Sequence, residues 1–258
     1  MSTATALQTP EIEYPESDGT PMGETGIHVV VMMEVYRILR HYFADASDLY
    51  IAANMFLYYE EGNPAAVIAP DVFIARGVEN GQELRRTFKV WEEGCGPAWA
   101  LEVTSKKTAR EDRGSKMHRY AKLGCRELVL FDPLEEYLEP SLQGFRLVKG
   151  AYKQIPLNPD GEVECRTLGL LVGRDGTGLR FRDPATGQLV ATPEEEAMVQ
   201  GREEGHLSGR REMFRETLAA RFGDLPGWAN AMIDSSDDAA LQAWTKRVFT
   251  AATLREIL

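Results

Sequence analysis

Two carboxylates in apolar surroundings are the residues of this chain best suited to chemistry. Pro70-Asp71 lies inside a β-rich run, and Ala98-Trp99-Ala100-Leu101-Glu102-Val103-Thr104 carries one acid in a segment that otherwise reads as a buried strand. An ionised carboxylate in the middle of a sheet is costly unless it is paired or binds a metal. Two of them on neighbouring strands would supply the hard oxygen ligands that magnesium (or manganese) prefers, leaving places for water and a phosphate. The chemistry implied is phosphodiester hydrolysis: the metal lowers the pKa of bound water, and a lysine orients the nucleophile or stabilises developing charge. Plainer explanations stand beside this one, because Asp after Pro often makes a turn and a strand glutamate can simply pair with Arg or Lys.

Charge bears on the substrate. The 258 residues carry a formal net charge of -11, which argues against a protein that coats nucleic acid by bulk attraction. Between Thr104 and Lys122, however, Lys106, Lys107, Arg110, Arg113, Lys116, Arg119 and Lys122 face only Glu111 and Asp112, a basic island in an acidic molecule. A solvated helix face would explain the same run.

Positioning these groups needs a framework, and the pattern of the chain supplies one. To about Gly23 the sequence is rich in Thr, Pro, Glu and Ser, and reads as a loosely held arm. Ile27 to Phe43 repeats Ile27, Val31, Val35, Ile38, Leu39 and Tyr42 at helical spacing. Leu49 to Tyr59 and Ala66 to Ala75 read as a hairpin around Glu60-Glu61-Gly62-Asn63-Pro64, and Arg76 to Gly96 as irregular. Thr108 and Glu111 resemble a capping box for a helix that Gly124 stops, and Glu127 to Phe131 reads as a strand. A strand, helix and strand from Ala98 to Phe131 predicts a parallel, right-handed crossover. Leu142 to Val190 should add antiparallel strands.

The order predicts an α/β (α+β) mixed sheet flanked by helices, followed by a C-terminal helical tail. Thr192-Pro193-Glu194-Glu195-Glu196 is a strong helix start. Gly201, Gly205 and Gly209 weaken the helix that follows by about 1 kcal/mol each relative to Ala, so it should need a partner or stay dynamic. The domain reading is an arm at 1–23, a core domain at 24–191 and a tail at 192–258.

Several motifs occur in an order that resembles the Uma-type restriction endonucleases of the PD-(D/E)xK superfamily. They are Tyr14-Pro15-Glu16-Ser17-Asp18-Gly19, Pro70-Asp71-Val72-Phe73, Glu102-Val103-Thr104-Ser105, Asp112-Arg113-Gly114-Ser115-Lys116, Tyr120-Ala121 and Phe131-Asp132-Pro133. The resemblance implies a restriction-endonuclease-like fold, a metal-binding pair at Asp71 and Glu102, and cleavage of DNA. The superfamily's lysine would stand two residues after the glutamate, where this chain has Thr104. Lys106, Lys107 and Lys116 are the substitutes within reach. Lys116 is preferred, because Asp112, Lys116 and Tyr120 match an Asp-x-x-x-Lys-x-x-x-Tyr pattern on the next helix. Asp71, Glu102 and Lys116 are therefore the catalytic candidates. Glu34, Thr104 and Lys107 are secondary ones, and Lys106, Lys107, Arg110 and Arg113 are the nucleic-acid-binding candidates.

His28 and His118 read as polar surface or edge residues, and Tyr58, Tyr59 and Trp91 as core or hairpin-edge residues. Cys95, Cys125 and Cys165 lack metal-ligand spacing and read as reduced and structural. With no long apolar run, and no Lys or Arg between Met1 and Tyr36, the expected location is the cytoplasm, away from membranes. The tail, through Gly201-Arg202-Glu203-Glu204-Gly205, Arg221-Phe222-Gly223-Asp224-Leu225-Pro226 and Leu254-Arg255-Glu256-Ile257-Leu258, is similar to those of transposase-associated nucleases, which implies a self-association or partner module. A homodimer through the domain or the tail is expected. The competing function is a catalytically degenerate nuclease fold that binds nucleic acid or protein.

Overall fold

Thr25 opens the first helix by accepting the His28 amide on its hydroxyl at 3.3 Å. The computed structural model of the chain describes residues 12–17, 25–105 and 112–258, with Asp112 and Arg113 described as backbone only. Helix α1, Gly26–Tyr42, buries His28, Val31, Met32, Val35, Ile38 and Leu39. Those positions follow the i, i+3, i+4, i+7 rule from residue 28, so the buried stripe begins at the histidine. Ile27 and Tyr42, expected on the apolar face, are exposed instead: Ile27 stands one residue out of phase, and Tyr42 is the last residue of the helix.

Strands β1 (Leu49–Ala53), β4 (Val72–Arg76), β6 (Pro97–Val103), β7 (Glu127–Phe131), β8 (Leu142–Val148) and β9 (Ala151–Ile155) form a six-stranded sheet in the order β1-β4-β6-β7-β8-β9. Within this sheet, among the described residues, β6 and β7 are the parallel pair, the arrangement that a helical crossover between consecutive strands requires. The predicted hairpin exists in two parts. Its stem is β1 on β4, while its distal β2 (Leu57–Tyr58) and β3 (Val67–Ile68) join β5 (Phe88–Lys89) in a separate three-stranded sheet. The irregular stretch before β6 thus holds β5 and a single helical turn, α2 (Val90–Glu93).

Alternation of side chains divides the core in two. Val72, Ile74, Leu101, Val103, Val129 and Phe131 meet α1, together with a third sheet of β10 (Val163–Cys165), β11 (Leu170–Asp175) and β12 (Gly178–Arg182). On the other face Phe73, Ala75, Ala100, Leu128 and Leu130 meet Tyr120 of α3 (Met117–Lys122) and the β2, β3 and β5 sheet. A wide, π-type turn, Asp112–Lys116, leads into α3. The proposed cap at Thr108 and Glu111 lies outside the described residues. Gly144 on β8 allows β10 to approach, since a Cβ there would stand 2.3 Å from a Val163 methyl group.

By internal contacts the chain divides into Met1–Thr192 and Pro193–Leu258. The second unit comprises α4 (Pro193–Phe222), α5 (Gly227–Ser235), α6 (Asp238–Val248) and α7 (Leu254–Ile257), packed on Phe214, Leu218, Ile233, Leu241, Trp244, Val248 and Ile257. Gly201, Gly205 and Gly209 do not interrupt α4. Among the described residues no helix is long and apolar enough to cross a membrane.

Candidate functional site

The register of β4 on β6 pairs Val72 with Leu101, and one further step sets Asp71 opposite Glu102. Asp71 stands where β4 begins, with its side chain 14% exposed. Its Oδ2 accepts the backbone amide of Val103 at 2.6 Å, which ties the aspartate to the strand that carries the glutamate. Its Oδ1 accepts from His28 Nε2 at 2.9 Å. A carboxylate only accepts, so the proton of that contact lies on Nε2. His28 is 3% exposed, which corrects its reading as a surface residue: the helical phase that buries Val31 and Val35 carries it inward. His118 is exposed, as expected.

Glu102 is 1% exposed and points to the α3 face of the sheet, in step with Ala100. Lys116 Nζ donates to its Oε2 at 2.9 Å, and the Tyr120 hydroxyl donates to its Oε1 at 2.5 Å. Four residues apart, Lys116 and Tyr120 project from one side of the helical segment, so both reach the same carboxylate. Burial, and then the charge of Glu102, pushes the Tyr120 phenol well above its usual range. It therefore stays a proton donor at neutral pH.

Thr104 continues β6 by donating its amide to Phe131 O at 2.7 Å, and is 4% exposed. Its hydroxyl is buried and has no hydrogen-bond partner among the described residues. Glu34 is exposed on α1, its carboxylate beside Gly178, the first residue of β12. Lys106, Lys107 and Arg110 lie outside the described residues, as does Asp18, and Arg113 is described by its backbone alone. The structure thus brings Asp71, Glu102, Lys116, His28 and Tyr120 into one chain of contacts.

Among the described residues no group of three or more His, Cys, Asp or Glu is arranged to hold a metal ion. Two carboxylates on adjacent strands and an unsatisfied buried hydroxyl at Thr104 are nevertheless all hard oxygen donors, and they fit a magnesium-type ion better than a softer one.

Other motif residues have structural explanations. Asp132 accepts the amides of Leu134, Tyr137 and Leu138, shaping the loop after β7. Tyr58 is buried, and its hydroxyl donates to Pro15 O at 2.5 Å, while Tyr14 packs between Tyr58 and Trp91 with ring centroids 5.1 Å from each. Cys95, Cys125 and Cys165 are free thiols.

Sequence reasoning missed His28 and undervalued Tyr120. Residue 28 falls on the stripe defined by Val31, Val35 and Ile38, so the wheel itself held the signal.

Among solved structures the chain is similar to a putative nuclease belonging to DUF820 from Anabaena variabilis, with 16% identity, a TM-score of 0.43, and coverage of 62% of this chain and 86% of that one. No curated protein matches the chain. The Uma2 family, described as "Putative restriction endonuclease", matches residues 4–174, and the chain belongs to that family.

Proposed function

We propose that the protein is a divalent-metal-dependent endonuclease that hydrolyses phosphodiester bonds in DNA. The observation that carries this reading is the pair Asp71 and Glu102 on adjacent strands, with Lys116 contacting the second acid from the following helix. Family membership supports the nuclease class.

Asp71, Glu102 and the Thr104 hydroxyl, directly or through water, would hold magnesium or manganese, which when bound supplies charge for a phosphate oxygen and acidity for a water. The chain's own residues do the rest. His28 and the Val103 amide hold Asp71 in place, and the Tyr120 hydroxyl holds Glu102 by donating to its Oε1. Lys116 places a positive charge beside that carboxylate, where it offsets negative charge building on the phosphate oxygens as water adds and a P–O ester bond breaks. Lys106, Lys107, Arg110 and Arg113 hold neighbouring phosphates. The enzyme works in the cytoplasm, as a homodimer when both strands are cut.

A second reading, a nuclease fold kept for binding alone, draws on one observation: both oxygens of Glu102 already accept internal hydrogen bonds. Incubating plasmid, single-stranded DNA and RNA with the protein and magnesium or manganese, beside Glu102→Ala and Lys116→Ala, separates the two. Cleavage by the wild type that both variants lose supports the nuclease. Equal nicking by wild type and Glu102→Ala sinks the site, and metal-dependent DNA binding without turnover favours the binding module.

A further inference from the structure

A cleft of about 520 Å³ opens beside the pair of Lys116 and Glu102. Phe56, Pro64, Val67 and Ile68 give it apolar walls, and Lys116 and Arg119 bring positive charge to it. Phe56 is half-buried and Pro64 exposed, so the apolar wall is reachable from solvent. The volume falls within the range of pockets that enclose a small ligand, roughly 300 to 1,000 Å³. A ligand suited to it has a flat apolar body and an anionic end.

A nucleotide has that form, with the base as the body and the phosphate as the end. Within a duplex the faces of a base are covered by its neighbours, so apolar walls can reach them only after the base has left the stack. Lys116 lines the cleft and also contacts Glu102, so a phosphate attached to the seated base would arrive at the candidate catalytic pair. We propose that this cleft receives one unpaired base of a nucleic-acid strand, which makes single-stranded or locally opened nucleic acid the substrate class. The proposal rests on the nuclease reading above. Phe56 stacks on the base, and Arg119 and Lys116 hold its phosphate.

Fluorescence of DNA oligonucleotides carrying 2-aminopurine at one position, which stacking quenches, tests this in the presence of a chelator. The full-length protein should quench the probe in a single strand and in a bulge but not in a blunt duplex. Phe56→Ala should abolish the quench and weaken single-strand binding by about 5- to 150-fold, and Phe56→Tyr should restore both. Pro64→Glu, in an exposed turn that tolerates the change, should weaken binding by placing negative charge at the cleft. Equal affinity for duplex and single strand, or unchanged quenching in Phe56→Ala and Pro64→Glu, overturns the proposal. Cleavage of blunt duplex without quenching overturns the base site and leaves the hydrolytic reading intact. Quenching retained by a protein that never cleaves defeats hydrolysis and upholds the base site.

Discussion

Lys116 Nζ lies 2.9 Å from Glu102 Oε2, although the two residues are fourteen positions apart in sequence. The cation reaches the carboxylate from the helical segment that follows the strand, while the strand position two residues on carries Thr104, whose hydroxyl is buried. The place to which the resemblance assigns the superfamily's lysine and the cation that contacts Glu102 are thus separated in this chain.

Replacing Lys116 by Met keeps the apolar stem and removes the charge. Turnover on the preferred nucleic acid should fall by about 10²-fold or more. Because the buried Glu102 would then lose the ion pair that Lys116 makes with it, stability should fall by about 3 kcal/mol in urea unfolding. Glu102→Gln should lose turnover while costing less stability, since the amide still fits between its partners. A Lys116→Met variant with full activity would exclude this residue from catalysis.

His28 Nε2 contacts Asp71 Oδ1 directly, so removing the imidazole should affect metal affinity more than folding. His28→Leu, a conservative volume on a buried stripe, should weaken manganese binding measured by titration calorimetry by about 10- to 100-fold. His28→Gln, whose amide can donate to the same oxygen, should recover part of it. Unchanged manganese affinity in His28→Leu would show that the contact only packs α1 on the sheet.

Glu127 provides an internal control. It too is a buried strand acid, 1% exposed, but it accepts from Arg146 Nε and from the backbone amides of Arg166 and Thr167. It pairs in register with Trp99, three residues from Glu102, and lies on the opposite face of the sheet. Glu127→Ala should cost about 3 to 5 kcal/mol of stability, because Arg146 and two amides lose their acceptor. Folded Glu127→Gln should cleave at the wild-type rate.

Cys125 and Cys165 are fully buried, and burial pushes both thiols up to about 12. Neither should react with iodoacetamide at pH 8 until the protein unfolds. A thiol whose folded pKa is raised keeps its proton longer in the folded state than in the unfolded one. Its contribution is therefore complete below the unfolded pKa and declines as pH rises from near 9 towards 12. Each thiol should remove about 1 kcal/mol of stability by pH 10, measured by urea titration across that range. Cys125→Ala with Cys165→Ala should flatten the decline.

The basic residues outside the described part of the site, Lys106, Lys107 and Arg110, together with Arg113, should give DNA binding a steep salt dependence. Each Ala substitution should reduce the slope of log affinity against log salt by about 1, uniformly across sequences. A slope that none of the four alters would place the phosphate contacts elsewhere.

Strand β7 was legible residue for residue, because five apolar-rich positions between Gly124 and Pro133 leave a buried strand little freedom in its ends. The parallel pairing of β6 with β7 was legible for a similar reason: a helix between two strands allows few connections. The separation of β2 and β3 from the hairpin stem was not, since it depends on β5, twenty to thirty residues later, adding alongside β2. His28 was half legible: its helical phase was in the pattern, but its partner Asp71 is 43 residues away.

By itself the sequence determined the order of elements and the placing of two acids at the start of one strand and near the end of another, because periodicity and turn chemistry are local properties. Tertiary structure alone decided which cation meets Glu102, that His28 and the Val103 amide hold Asp71, and that an apolar cleft opens next to Lys116. These are distances between segments far apart in the chain, and they are settled only when α1 and α3 pack on opposite faces of the sheet.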